Sequence, residues 1–205
     1  MSANKLISNS IHKKIVVLVH GFLDQASLFK PMQKGLEQHG FTVLAINLKP
    51  CHGQHGIEPL AEQLAEFIQA AVAGSEQTIA LIGFSMGGLV ARYYLQYLNG
   101  LSRVYQFISI ASPHYGTNSA YLLPLTSCRQ MRPNSSFLMQ LNATSDSLFP
   151  VNPVSLWTPY DLIILPRRNA LLKLGSNIKI PVYFHRWMAK DARVISVILD
   201  ILDSV

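Results

Sequence analysis

A doubly wound α/β architecture on a parallel sheet is what the sequence predicts, and three observations predict it. Short β-rich runs that are apolar on both faces alternate with segments of helical period. The runs are four to eight residues long and turn residues bound them. One of them hands over to a helical pattern through GFSMG, a Gly-x-Ser-x-Gly turn. Strands that alternate with helices point to crossover connections, with reactive groups at the carboxyl ends of the strands.

The first predicted strand is 15–19 (IVVLV), followed by a helix over 26–38. A second strand over 41–46 leads to a helix over 57–73, with apolar residues recurring every three or four positions. The third strand, 78–82, precedes the serine turn and a helix over 86–98. Strands follow at 105–110, 154–158 and 180–184. The final helix, 191–202, carries Val194, Ile195, Ile198, Leu199 and Leu202 as one stripe, which reads as a core-facing surface. Between residues 113 and 153 no regular pattern is evident, although YLLPL at 121–125 and Phe137, Leu138 and Met139 are apolar.

Bulk properties narrow the function. The 205 residues fit one domain, 1–205, and 49% apolar content with 14% charged residues opposes disorder. No run reaches the roughly 20 apolar residues of a membrane span, so a soluble protein is expected, with peripheral membrane contact left open. MSANKLISNSIHKK lacks the apolar core of a secretion signal, and two cysteines, Cys51 and Cys128, make no disulfide framework. Both favour the cytoplasm. The net charge of +6 is scattered, without the basic and aromatic interleaving of a nucleic-acid site. CHGQHG, with Cys51, His52 and His55, matches no zinc spacing and reads as a glycine-rich loop, so no metal is expected.

In a strand, sharp turn and helix, Ser85 would be lifted above the sheet edge in a strained conformation. Gly83 and Gly87 lie where a β-carbon would strike neighbouring backbone, and Gly88 permits further close approach. The structural alternative is a glycine-rich connector whose serine merely caps the helix. A serine nucleophile needs a base, and the base needs an acid to hold its tautomer. In this arrangement the chain order is Ser, acid, His. Only His114 and His185 follow Ser85, and no Asp or Glu lies between Ser85 and His114, so His185 is the predicted base. The acids between Ser85 and His185 are Asp146, in polar NATSDS, and Asp161, directly after a predicted strand. A strand end holds a carboxylate more rigidly than a loop, which selects Asp161. The backbone N–H groups of Phe22 and Met86 are the expected oxyanion donors, with Gly21 opening the first loop. His20 reads as a structural residue of that loop, and Arg92, Tyr93 and Tyr94 as residues that pack or solvate their helix.

VLVHGF, GFSMGG, ASPHYGT at 111–117, CRQMRPNSSFL from Cys128, YDLIILP and FHRWM together resemble small α/β-hydrolase lipases and esterases, in order over roughly residues 15–202. The resemblance implies a minimal α/β-hydrolase fold of about six mostly parallel strands with helices on both faces. It also implies hydrolysis of carboxylic esters or lipids by Ser85, Asp161 and His185 with no cofactor. His185 stands in FHRW where Gly-His is the commoner setting. The expected substrates are short- to medium-chain acyl esters, with residues 113–153 supplying a partial cover over an apolar acyl site. An acyltransferase using the same triad, or a catalytically silent lipid- or partner-binding protein of this fold, are the competing readings.

Overall fold

The computed structural model describes residues 14–73 and 77–205, so the N-terminal segment read for a secretion signal lies outside the described residues except for Lys14. Five of the predicted strands appear as β1 (Ile15–Val19), β2 (Thr42–Ile46), β3 (Ile79–Phe84), β4 (Val104–Ile110) and β5 (Val154–Trp157), and a sixth, β6, spans Ser176–Lys179. They form one sheet in the order β2-β1-β3-β4-β5-β6, and every pairing is parallel. The helices are α1 (Lys30–Gln38), α2 (Glu58–Ala71), α3 (Met86–Tyr97), α4 (Thr126–Gln130), α5 (Ser136–Ala143) and α6 (Ala192–Asp203).

Alternation along β1 shows why both of its faces are apolar. Val16 and Leu18 pack with Met32 and Leu36 of α1 and Val194 and Ile198 of α6. Val17 and Val19 face the other way, toward Leu60 and Leu64 of α2 and Leu89 and Val90 of α3. Helices therefore cover the sheet on both sides, as fully buried parallel strands require. The chain leaves β1 toward β2 on one side and returns past it to β3 on the other. A crevice opens at such a reversal, between the carboxyl ends of β1 and β3.

Three expectations need correction. The helix predicted over 26–38 is a 3-10 turn (Ala26–Phe29) followed by α1, because Pro31 lacks an N–H and fits only the first turn of an α-helix. The sixth strand lies at Ser176–Lys179, not at 180–184. This edge strand is mostly exposed, so polar SNIK forms it, while Pro181 cannot donate to a ladder and apolar Ile180 and Val182 are buried beyond the strand. Residues 113–153, expected to be irregular, hold α4, α5 and two 3-10 turns, Asn118–Tyr121 and Ser145–Val151. Their helices are too short to register as a period.

The turn between β3 and α3 is held by close backbone packing. Ser85 has φ 53° and ψ −123°, a left-side conformation costing a non-glycine residue about 1–3 kcal/mol. Its N–H is anchored to the Ile110 carbonyl at 2.8 Å. A β-carbon on Gly83 would lie 2.5 Å from Gly88 Cα, and one on Gly87 would meet the carbonyl oxygens of Val19 and His20. One on Gly88 would strike the Ser112 side chain. The glycines thus let α3 start against the ends of β1 and β3, which is what fixes the serine.

A buried cation braces α3 from the other side. Arg92 is fully buried and donates to the Leu141 carbonyl (2.7 Å), Asn142 Oδ1 (2.9 Å) and Gln96 Oε1 (3.0 Å). The first of these acceptors lies in the last turn of α5, where carbonyls are unsatisfied and the helix dipole is negative. Burial pulls the Arg92 guanidinium down to about 10, so it stays charged at neutral pH. Because arginine only donates, His114 Nδ1 must accept its 3.5 Å contact, leaving Nε2–H to donate to Ser109 Oγ at 2.9 Å. The Arg92 reading as a packing residue holds, with the addition that it pins α5 to α3.

Burial first, and Arg92 second, hold His114 well below its ordinary value, and burial also lowers His20. Both are neutral when folded and take up protons when unfolded. Stability should therefore fall as pH drops below about 6.5, toward the depressed folded values. Urea unfolding at stepped pH checks this, and His114→Gln should flatten part of the slope while His20 leaves the remainder. Gly87→Ala should destabilise the fold by about 1–3 kcal/mol or more, since the obstructing atoms are backbone, as read from the urea midpoint.

Candidate active site

Each predicted side chain arrives from a strand end. Ser85 follows β3, Asp161 follows β5 by a short turn, and His185 follows β6 and opens a 3-10 turn (His185–Ala189). The three meet although they are distant in the chain. His185 Nε2 lies 2.9 Å from Ser85 Oγ, and His185 Nδ1 lies 2.8 Å from Asp161 Oδ2. A carboxylate accepts, so the proton on Nδ1 is donated to Asp161 and Nε2 is left to accept from the serine hydroxyl.

The carboxylate is immobilised by its own loop. Asp161 Oδ1 accepts from the N–H groups of Ile163 and Ile164 at 2.8 and 2.9 Å, and the residue is 1% exposed. That loop is tied in turn to the segment after β4. Thr117 Oγ1 donates to the Ile163 carbonyl at 2.5 Å and accepts from Leu165 N–H at 2.9 Å, and Ser119 Oγ donates to the Ile163 carbonyl. The Phe84 ring packs 5.0 Å from the His185 ring, limiting its swing. Ser85 is 8% exposed, enough for a small reacting group to reach its hydroxyl.

The loop after β1 sits against the serine, since a β-carbon on Gly21 would come 2.9 Å from Ser85 Cβ. His20 fixes this loop as expected. It is buried, contacts the Gly21 carbonyl through Nδ1 at 2.9 Å and accepts the Leu48 N–H through Nε2. Phe22 follows and lines the same hollow as Ser85. Among the described residues Phe22 N–H makes no turn or loop hydrogen bond to backbone, and Met86 opens α3, where an N–H has no carbonyl of its own helix to reach. Phe22 thus lines the hollow that holds Ser85, and Met86 is the next residue in the chain.

Two hollows open on Ser85. One, of about 200 Å³, is almost wholly apolar and is walled by Pro113, Ala120, Leu122, Leu123, Met131 and Ile164. The other, about 540 Å³, contains His185 together with Leu23, Asp24, Phe184 and Arg186. Leu122 and Leu123, from the apolar run at 121–125, form part of the first wall while remaining exposed. Phe137 and Leu138 instead pack into the core. The two parts of this segment therefore do different work.

Sequence reasoning did not find Asp24, Arg186, Thr117 or Ser119. Arg186 forms an ion pair with Asp24, Nε to Oδ1 at 2.7 Å, across 162 positions of chain, a contact no local signal reveals. In the CHGQHG loop the Cys51 carbonyl accepts from Leu23 N–H and Gln54 contacts both His52 and His55. Among the described residues no three His, Cys, Asp or Glu side chains cluster as metal ligands, and no helix is long and apolar enough to cross a membrane.

The chain is 36% identical over 107 residues to lysosomal thioesterase PPT2 of Homo sapiens, a match covering 50% of this chain and 35% of that protein. It is 31% identical over 112 residues to a triacylglycerol lipase of Pseudarthrobacter phenanthrenivorans, covering 51% and 34%. The matches span about a third of the length of these curated relatives. Aspergillus fumigatus lipase B superposes with a TM-score of 0.81 at 21% identity, over 95% of this chain and 53% of that one, which shows an α/β-hydrolase fold. Residues 15–151, from β1 through the serine turn to the end of the helical segment after β4, match palmitoyl protein thioesterases, and the chain belongs to the palmitoyl protein thioesterase family.

Proposed function

We infer that the protein is a serine hydrolase of acyl esters that works through an acyl-enzyme on Ser85. The observation carrying this reading is the relay from Asp161 through His185 to a Ser85 hydroxyl at the mouth of an apolar cavity. Ser85 Oγ attacks the acyl carbon while its proton passes to His185 Nε2, and Asp161 stabilises the imidazolium that results. The oxygen left negative on the former carbonyl accepts from the N–H groups of Phe22, in the loop packed on Ser85, and of Met86, the first residue of α3. As the tetrahedral intermediate collapses, the bond to the leaving atom breaks and that atom takes the proton from Nε2. Water then repeats the sequence, losing a proton to Nε2 and releasing the acid and free Ser85.

Proton delivery also decides which hollow takes which half of the substrate. The leaving atom must lie on the His185 side, so the larger cleft receives the leaving group and the apolar cavity receives the acyl chain. At about 200 Å³ that cavity is smaller than the roughly 300–1,000 Å³ of sites for drug-sized ligands, which supports short- to medium-chain acyl groups. The same relay serves an oxygen or a sulfur leaving atom, and the similarity to thioesterases makes acyl thioesters part of this proposal.

Wild-type protein should react with a fluorophosphonate probe and hydrolyse p-nitrophenyl butyrate, and Ser85→Ala should lose both. Unchanged labelling of Ser85→Ala would refute the assignment. Asp161→Asn should keep the fold but lower kcat by about ten-thousandfold, since the imidazole is then held in the wrong tautomer. A graded series of p-nitrophenyl esters should peak at short or medium chains. Ala120→Leu, which fills the apolar cavity, should move that peak toward shorter acyl groups.

A further inference from the structure

The larger cleft does not end at the ion pair. Arg186 lines both it and a neighbouring hollow of about 430 Å³, whose wall also carries Lys30, Lys190, Trp187 and Ser27. That second hollow has no carboxylate in its lining, so its charged wall is entirely cationic. Asp24, the one acid of the first cleft, is 7% exposed at its side chain and engages Arg186 through Nε alone. Among the described residues the two Nη groups of Arg186 have no acceptor, and the side chain is 66% exposed. A substrate whose leaving atom sits at His185 would therefore run past a guanidinium held by its Nε and into a hollow flanked by two lysines.

We propose that this path selects leaving groups that carry a phosphate several bonds away from the scissile ester or thioester, with Arg186, Lys30 and Lys190 as the specificity determinants. The inference rests on the hydrolase reading above and deepens it. Asp24 orients the guanidinium, and the planar fork that remains matches phosphate oxygens, which a solvated lysine alone would not do. Lys30 and Lys190 add field without fixed geometry. All three are exposed, so each contributes modestly and the effect weakens with salt. A phosphate of this kind occurs in acylated glycerol phosphates and in acyl thioesters of coenzyme A. The chemistry is shared and the two sources are separable.

The test compares matched butyryl substrates on the full chain. Butyryl glycerol 3-phosphate is set against monobutyrin, and butyryl-coenzyme A against butyryl N-acetylcysteamine. Expected is a kcat/KM ratio favouring the phosphorylated member of at least one pair by about tenfold at low ionic strength, shrinking several-fold by about 0.3 M salt. Which pair shows it identifies the source. Arg186→Gln should lower the ratio about two- to fivefold, chiefly through KM, and Arg186→Lys should restore it only in part. The double variant Lys30→Gln/Lys190→Gln leaves the Asp24 pair intact and should lower the ratio as well, which separates recognition from any folding role of Arg186. Hydrolysis of the neutral members with ratios near one, unmoved by these substitutions or by salt, overturns the proposal and leaves the hydrolase reading standing. Absence of Ser85-dependent turnover on all four substrates removes both.

Discussion

One backbone constraint organises the molecule, the positive φ of Ser85 at the junction of β3 and α3. A residue there is strained, and the strain persists only because the surroundings leave no alternative. Gly83, Gly87 and Gly88 let α3 begin in contact with the carbonyl ends of β1, and Gly21 lets the neighbouring loop close on the serine. The same packing that raises the hydroxyl also brings the loop of Gly21 and Phe22 against it, and Met86 follows it directly in α3. Positioning of the proposed nucleophile and of its proposed oxyanion donors is thus one event.

The proposed base and acid are fixed by different means. Asp161 is gripped by the N–H groups of its own loop, and that loop is stitched to the segment after β4 through Thr117 and Ser119. His185 is held between the Asp161 carboxylate and the Phe84 ring. The geometry of the proposed relay therefore depends on Thr117 and Ser119 as well as on the three side chains. The FHRW setting of His185 gains a physical meaning here, because the residue after the proposed base is the arginine that reaches Asp24.

Residues 113–153 connect the apolar half of the proposed substrate site to the core. Their buried part, Phe137, Leu138 and Leu141, packs against α3, and Arg92 ties the end of α5 to the same helix. Their exposed part, Leu122 and Leu123, walls the apolar cavity. A buried guanidinium without a carboxylate partner is tolerable because carbonyl and amide oxygens satisfy it. The segment is thereby anchored firmly enough to shape a cavity.

Much of this was legible in the sequence. The two-faced apolar strands, the order of Ser85, Asp161 and His185, and the glycines of the turn are local or ordinal properties, and those survive as one reads along the chain. Strand β6 was misplaced because an edge strand has little burial to record, and the short helices of 113–153 lie below the length at which a period declares itself. Which hollow faces the imidazole, what closes over the serine, and the pairing of Arg186 with Asp24 were decided only by the tertiary structure. They depend on distances between residues far apart in the chain, and such distances are set by how the sheet and its helices pack, a quantity no stretch of sequence carries by itself.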